Sequence, residues 1–181
     1  MNSKPSSGFA DKIVYKGTRV DLALRTVTTT TGKSLVREVV LHPGAVIILP
    51  ILQDGRIVMI RNLRHTVGHW LWELPAGTLE PPEPPELCAR RELIEETGFQ
   101  AGEMKSLGWF YTSPGILTEK MYAFIATGLT PGPQVLEENE TITVEPLPVN
   151  TIRAMIDSNE ILDGKTIAVL LKYILRSNAG V

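Results

Sequence analysis

Three glutamates lie within five positions of the chain, in the segment RRELIEETG that covers residues 90–98. They are Glu92, Glu95 and Glu96, and Arg91 precedes them. Successive helical residues are about 100° apart, so the three carboxylates would fall within an arc of roughly 100°. Glu92 and Glu96 are four positions apart, a like-charge pairing that costs roughly 0.3 kcal/mol on an isolated helix. Stability alone does not favour this cluster.

Binding of a divalent metal is the chemistry that suits these residues. The carboxylates occupy the C-terminal half of a predicted helix, where the helix dipole disfavours negative charge. Arg91 lies four positions before Glu95 and can orient its side chain. The preceding loop, ELPAG, can bring a backbone carbonyl to the same place. Hard oxygen ligands of this kind suit Mg²⁺ or Mn²⁺. The alternative interpretation is a solvated acidic helix face.

The spacing around the glutamates fits a longer pattern. Gly77 is followed by five residues, Glu83, seven residues, Arg91-Glu92-Leu93, one residue, Glu95-Glu96, one residue and Gly98-Phe99. This is G-x(5)-E-x(7)-R-E-U-x-E-E-x-G-U, in which U is a large apolar residue. The chain therefore resembles the Nudix hydrolase family, with an aromatic residue at the last apolar position.

The resemblance implies a Nudix fold, an α/β/α sandwich around a mixed sheet, and hydrolysis of a nucleoside diphosphate linked to another moiety. It implies Mg²⁺ or Mn²⁺ as cofactor, about two or three ions per site, the number that bridges a diphosphate in such chemistry. Arg91 is implied as an orienting residue and Glu83 as a loop-stabilising one. The implied metal ligands are Glu92, Glu96, Glu95 and the carbonyl of Ala76.

Features outside the pattern resemble the ADP-ribose pyrophosphatase branch of the family. Pro114, in YTSPGILTEK, is fifteen residues beyond Phe99, as is typical of that branch. The segments REVVLHPGAVIILPIL and RNLRHTVGHWLWELPAGTLE are also similar. The substrate-binding residues implied by this resemblance are Arg64, Glu73, Arg61, Pro114 and Glu119.

Two departures keep other nucleoside diphosphate sugars open as substrates. The chain has Arg61-Asn62-Leu63-Arg64 where the branch more often has Arg-Gln-Phe/Tyr-Arg, and the loop EPPEPPE is unusual. The SPG tripeptide alone is typical of an ordinary turn. Trp70 and Trp72 are two positions apart, so on a strand they would share one face, and they either pack or stack on a base.

A second acidic group, LEENETI, is predicted to lie on a loop and would by itself be a solvated turn. In the branch, a mobile loop at this stage carries the carboxylate that deprotonates the attacking water. The resemblance therefore implies Glu138 as the general base and Glu140 as a metal ligand or alternative base. A carboxylate suffices because a water on a metal needs only a modest base.

The element pattern predicts an α/β or α+β fold. Apolar and polar residues alternate between about residues 14 and 40, which predicts an antiparallel β region. Residues 45–52 are apolar throughout, which predicts a strand that is buried on both faces and that ends or bulges at Pro50. Asp54-Gly55 predicts a type I′ hairpin. The segment GHWLWELPAGTLEPPEPPE, residues 68–86, is predicted to be a loop that is rich in proline. Helices are predicted over residues 85–97, 151–159 and 165–177, with further strands between the first two.

We expect an N-terminal β segment (residues 1–44) that builds a homodimer and the substrate pocket, followed by a Nudix hydrolase domain (residues 45–181). The net charge of −2 provides no basic surface for nucleic acid. No apolar run is long enough for a signal peptide or a membrane span, so the expected location is cytoplasmic. The single cysteine, Cys88, excludes an intrachain disulfide and is expected to be packed.

Three functions follow from these patterns. The first is metal-dependent hydrolysis of ADP-ribose or a related nucleoside diphosphate sugar to a nucleoside monophosphate and a sugar phosphate. The second is a Nudix hydrolase of dinucleoside polyphosphates, nucleoside triphosphates or capped RNA. The third is a non-catalytic, nucleotide-sensing Nudix module, which loss of the glutamates would signal, and none is missing.

Overall fold

The computed structural model describes residues 10–178, so the first nine residues of the predicted N-terminal segment and residues 179–181 lie outside the description. Seven strands come first along this part of the chain, then a helix, three more strands and two final helices. The strands are β1 (Ala10–Lys16), β2 (Asp21–Thr28), β3 (Ser34–Leu41), β4 (Ala45–Pro50), β5 (Ile57–Arg64), β6 (His69–Glu73), β7 (Ala76–Thr78), β8 (Phe99–Tyr111), β9 (Lys120–Pro131) and β10 (Ile142–Leu147). The helices are α1 (Pro85–Thr97), α2 (Val149–Asp157) and α3 (Gly164–Asn178).

A mixed sheet in the order β7-β4-β9-β8 forms the centre of the protein. Strands β4 and β9 are parallel, and the other pairs are antiparallel. Every residue of β4 is buried, as the uninterrupted apolar run predicts, and the strand ends at Pro50. Helix α1 packs on one face through Cys88, Ala89 and Leu93. Helices α2 and α3 cover the other face, which confirms the predicted α/β/α layers.

Two smaller antiparallel sheets flank this centre, one in the order β10-β5-β6 and one in the order β1-β2-β3. The second of these, the N-terminal sheet, is tied to the rest of the chain at Val40. The Val40 N–H donates to the Ile116 carbonyl at 2.8 Å, and the Val40 carbonyl accepts from the Thr118 N–H at 3.0 Å. Tyr15 and Val36 remain more than 60% exposed on this sheet.

Helix α1 forms as the sequence predicts, because both of its ends carry the right residues. Pro85 occupies the first turn, where its missing N–H costs nothing. Gly98 adopts a left-handed φ of 74° and donates its N–H to the Ile94 carbonyl. The Cys88 thiol is fully buried, which confirms that it is a packed residue.

Two predictions of local structure are wrong. Residues 69–78 form β6 and β7 rather than a loop, because His69–Glu73 pairs with β5 and Ala76–Thr78 pairs with β4. The turn at Asp54-Gly55 is not type I′, because only Gly55 has a positive φ, 85°. The Gly55 N–H instead donates to the Leu52 carbonyl, and the Leu52 N–H donates to the Arg56 carbonyl. None of the described helices is long and apolar enough to cross a membrane.

Candidate active site

Arg91 is the centre of an ion-pair network on α1. Its Nε and Nη2 atoms donate to the two oxygens of Glu83, both at 3.1 Å. Its Nη1 atom lies 2.8 Å from an oxygen of Glu92 and 2.8 Å from an oxygen of Glu95. The predicted orientation of Glu95 by Arg91 is therefore present. One guanidinium therefore fixes three carboxylates.

Strand β7 brings the main chain against the carboxylates of Glu92 and Glu96. The Ala76 N–H donates to Glu96 Oε2 at 2.9 Å. Gly77 lies so close to Glu92 that a Cβ atom built there would be 1.8 Å from the Glu92 carboxyl carbon. Only glycine leaves room for that carboxylate. The short strand therefore holds Glu92 and Glu96 in place from the side opposite the helix core.

Burial makes these two carboxylates unusual. Glu96 is 2% exposed and Glu92 is 8% exposed. Burial raises the pKa of Glu92 to about 7, against the opposing effect of Arg91, and the charges of Glu95 and Glu140 raise it further. Burial raises the pKa of Glu96 to about 8, the Ala76 N–H opposes this, and the charges of Glu92 and Glu140 add to it. The neighbouring donors and positive charges do not offset the burial of either carboxyl group.

This uncompensated burial is the observation that fits a divalent cation. Buried carboxylate oxygens that repel one another are stabilised by a hard cation of high charge. Within residues 10–178, no three His, Cys, Asp or Glu side chains already converge as a formed metal cluster. The donor set suits Mg²⁺ or Mn²⁺, with Arg91 and the Ala76 N–H holding some of the oxygens.

Two basic side chains, Arg64 and Lys165, also line the same cavity. Arg64 Nε and Nη2 donate to the two oxygens of Glu73, both at 2.7 Å. Lys165 Nζ lies 2.7 Å from Glu73 Oε2. Burial alone would raise the pKa of Glu73, but the hydrogen bond from Arg64 and the charges of Lys165 and Arg64 lower it overall. Glu73 is 1% exposed and ionised, and its carboxylate holds the side chains of Arg64 and Lys165.

The cavity between the acidic and cationic groups has a volume of about 610 Å³. Most of the predicted site residues line it: Ala76, Arg91, Glu92, Glu95, Glu96, Arg64, Glu119 and Glu140. Glu73 lies behind this surface, where it supports Arg64. At the far end, Glu119 accepts from the Thr112 hydroxyl at 2.5 Å and lies 3.6 Å from His42 Nε2.

Besides Glu73, three predicted residues do not line this cavity. Arg61 is on the opposite face of β5 from Arg64, where its guanidinium lies over Trp70 and Trp72 at 5.8 and 5.3 Å from the ring centres. Pro114 and Glu138 are exposed and lie outside the cavity lining. The proposed roles of Arg61, Pro114 and Glu138 stay predictions.

The sequence patterns missed several residues that line the cavity. They include Lys165 from the start of α3, Glu137 from the loop before β10, and Thr18 and Arg19 from the turn between β1 and β2. Glu137 lies in the acidic segment LEENETI, so the signal was present. Nothing local marks Lys165, because its partner Glu73 is 92 positions away.

Comparisons with known proteins agree with this geometry. The NUDIX domain model matches residues 41–168. An ADP-ribose pyrophosphatase of Bacillus subtilis is 35% identical over 176 residues, which cover 96% of this chain and 95% of the relative. A GDP-mannose pyrophosphatase of Citrobacter koseri is 40% identical over 148 residues, 75% of this chain and 74% of the relative. A crystal structure of an ADP compounds hydrolase has the same fold, with a TM-score of 0.82, 98% coverage of both chains and 21% identity.

The close approach of Gly77 to Glu92 predicts the effect of a single methyl group. Replacing Gly77 by Ala should displace the Glu92 carboxylate and weaken Mn²⁺ binding about 10-fold or more, the usual effect of disturbing the support of a metal ligand. Titration calorimetry measures this affinity. Gly164→Ala is the matched control, because a Cβ there meets nothing within 4 Å. Equal Mn²⁺ affinity in the two variants would contradict the assignment.

Proposed function

The chain belongs to the NUDIX family, and from that premise we propose that it hydrolyses the diphosphate bond of ADP-ribose or a related nucleoside diphosphate sugar. The products would be a nucleoside monophosphate and a sugar phosphate. The observation that carries the proposal is one cavity whose lining contains both the buried carboxylates of Glu92 and Glu96 and the basic side chains of Arg64 and Lys165. A diphosphate needs both, because cations bound by the carboxylates and the basic side chains neutralise different oxygens. The names of the two pyrophosphatase relatives support the substrate class.

The acidic side would hold Mg²⁺ or Mn²⁺, and we expect two or three ions, as is usual when metals bridge a diphosphate. Glu92, Glu96 and Glu95 would supply ligands together with the Ala76 carbonyl. Such ions supply neutralisation of the phosphate oxygens and a lower pKa for a coordinated water. Arg91 keeps Glu92 and Glu95 oriented. Because Glu92 and Glu96 are buried, electrostatic interactions with their carboxylates are stronger than they would be in water.

The proton of the attacking water needs a carboxylate acceptor, and Glu140 is better situated for this role than Glu138. Glu140 lines the cavity, and its charge contributes to the raised pKa of Glu92 and Glu96. Its Oε2 atom accepts from the Glu137 N–H at 3.0 Å, which restrains the side chain. Glu138 is exposed outside the lining. We therefore favour Glu140 as the base, with Glu138 as the alternative.

A second catalytic function and a non-catalytic one follow from the same fold. Dinucleoside polyphosphates, nucleoside triphosphates or capped RNA would require further positive charge, and the cavity lining has only Arg19, Arg64, Arg91 and Lys165 as cations. A sensing module would not need the complete set of buried glutamates. Neither alternative has a specific observation in its favour.

A substrate panel tests the proposed activity. With Mg²⁺ or Mn²⁺, chromatography should reveal AMP and ribose 5-phosphate from ADP-ribose, or the equivalent products from another nucleoside diphosphate sugar. Glu96→Gln should reduce turnover about 100-fold or more, since it removes a buried charge that the site needs. Glu86→Gln is the control, because Glu86 is exposed on the same helix and lies outside the cavity. Cleavage of triphosphates alone, or full turnover by Glu96→Gln, would refute the proposal.

The choice of base is tested by replacing one carboxylate at a time. Glu140→Gln should lower kcat about 100-fold or more, the usual contribution of a general base, while Glu138→Gln should change it by less than about 3-fold. Steady-state kinetics across pH measure kcat for both variants. The opposite ranking would assign the base to Glu138, as the family resemblance implies.

We also expect a homodimer. The N-terminal sheet, described for residues 10–41, exposes Ile13, Tyr15 and Val36, and apolar surface of this kind favours a partner. The turn before β2 also reaches the cavity through Thr18 and Arg19. The cytoplasmic location stays a prediction.

Sedimentation equilibrium tests the dimer directly. We predict a mass of about twice the 19.9 kDa of the chain. Val36→Lys should shift the equilibrium toward monomer, because it places a charge on the exposed apolar face. Val67→Lys, an exposed position outside the N-terminal sheet, is the control. A wild-type monomer at assay concentrations would remove the hypothesis.

A further inference from the structure

The β9–β10 loop, residues 132–141, carries most of the acidic segment LEENETI to the cavity. Glu137 and Glu140 line the cavity, whereas Glu138 is exposed outside the lining. The loop contains no helix or strand, and a connection of this kind is by itself more mobile than the elements it joins. The position of the Glu140 carboxylate therefore depends on the contacts that hold the loop.

The first part of the loop is bound to the C-terminal end of α1. Gln134 Nε2 donates to the Glu96 carbonyl at 2.6 Å. The Val135 N–H donates to the Glu95 carbonyl at 3.0 Å. The side chains of Glu95 and Glu96 line the cavity, so these two residues hold the loop with their main chain and face the site with their carboxylates.

The end of α1 gains from this contact as well. The last four carbonyls of a helix lack a partner within the helix. The Gly98 N–H satisfies the Ile94 carbonyl, and the loop satisfies those of Glu95 and Glu96. A Cβ atom on Gly98 would collide with the Gly132 carbonyl oxygen, so the loop leaves no space for a side chain there. Capping of the helix is thus the alternative role for the Gln134 amide.

The last part of the loop is bound to β5. The Leu63 N–H donates to the Thr141 carbonyl at 3.1 Å, and the next residue, Ile142, begins the pairing of β10 with β5. Strand β5 also carries Arg64. The loop therefore connects the helix that carries the acidic residues to the strand that carries a basic one.

A closed turn lies between these two attachments. The Glu140 N–H donates to the Glu137 carbonyl at 3.0 Å, and the Glu137 N–H donates to Glu140 Oε2 at 3.0 Å. The two bonds make the turn a unit, so its attachment to the rest of the protein decides where the Glu140 carboxylate lies. Gln134 is three positions before this turn, and its bond to α1 comes from a side chain, which a substitution can remove.

We propose that Gln134 is a positioning residue, which holds the β9–β10 loop on α1 and thereby places the Glu140 carboxylate in the cavity. This inference rests on the proposed function, in which Glu140 is the base. It gives the bond to the Glu96 carbonyl a role beyond capping of the helix. The bond fixes the carboxylate that accepts the proton relative to the helix whose carboxylates would hold the cations.

Two variants and a control test the role of Gln134. Gln134→Ala removes the donor, and Gln134→Glu keeps the length and shape of the side chain but presents an acceptor to the Glu96 carbonyl. Gln53→Ala is the control, because Gln53 is exposed on another loop and does not line the cavity.

Both Gln134 variants should lower kcat for ADP-ribose about 5- to 10-fold, the size expected for loss of one hydrogen bond. KM should stay within about 2-fold of wild type, as should both constants in Gln53→Ala, because no substrate contact changes. Unchanged kcat in the Gln134 variants, or a KM that rises as much as kcat falls, would overturn the inference.

A double-mutant cycle separates placement of Glu140 from capping of α1. In a Glu140→Gln background, Gln134→Ala should change kcat by less than about 2-fold, because a base that is absent cannot be misplaced. The Mn²⁺ affinity of Gln134→Ala, measured by calorimetry, should equal that of the wild type, because the bond is to the Glu96 carbonyl and not to its carboxylate. Losses of kcat that multiply in the double variant, or Mn²⁺ binding that weakens as much as kcat, would assign Gln134 to the helix and overturn the inference.

Failure of the proposed function can be separated from failure of this inference. If the wild type cleaves no nucleoside diphosphate sugar, the proposed function fails, and if Glu140→Gln keeps full kcat, the choice of base fails. Amide hydrogen exchange then tests the attachment of the loop by itself. Residues 135–141 should exchange at least about 3-fold faster in Gln134→Ala than in the wild type and in Gln53→Ala, because a lost hydrogen bond favours local opening. Equal exchange in all three proteins would refute the attachment.

Discussion

The structure depends on the burial of two like charges beside each other. Glu92 and Glu96 are on the same face of α1 and are almost inaccessible to water. An unpaired buried carboxylate is costly, and two neighbouring ones are more so. The local structure is arranged around that cost. Arg91 contacts Glu92, the Ala76 N–H contacts Glu96, and Gly77 leaves space that any side chain would fill.

The cationic side of the cavity is built on the same principle with the signs reversed. Glu73 is fully buried and ionised, and Arg64 and Lys165 are held by it. The fold joins the two sides because β6 and β7 are consecutive, so Glu73 and Ala76 are only three residues apart. Hydrogen bonding between Thr166 and Leu74 fixes α3 to the same segment. The short segment from Glu73 to Ala76 therefore positions residues of both the acidic and the basic group.

Local features were predictable from the sequence, and long-range pairings were not. The glutamate cluster, the ends of α1 and the buried strand β4 each follow from spacing or from residue type within one element. Arg61 and Arg64 are an odd number of positions apart, so strand alternation places them on opposite faces, but the sequence does not indicate which face meets the cavity. Lys165 and Glu73 are 92 positions apart, and no periodicity links them. The β6 strand was missed because the prolines that follow it suggested a loop for the whole segment.

The dependence of the fold on cations at the acidic face is measured most directly by thermal unfolding of the wild type, freed of metal, as Mg²⁺ or Mn²⁺ is added. We expect the midpoint to rise with the concentration of either ion and then to level off, because a ligand that binds only the folded state stabilises the folded state. KCl at matched ionic strength should not reproduce the rise. A midpoint that neither divalent ion changes, or that KCl raises equally, would contradict the binding of divalent cations at the acidic face.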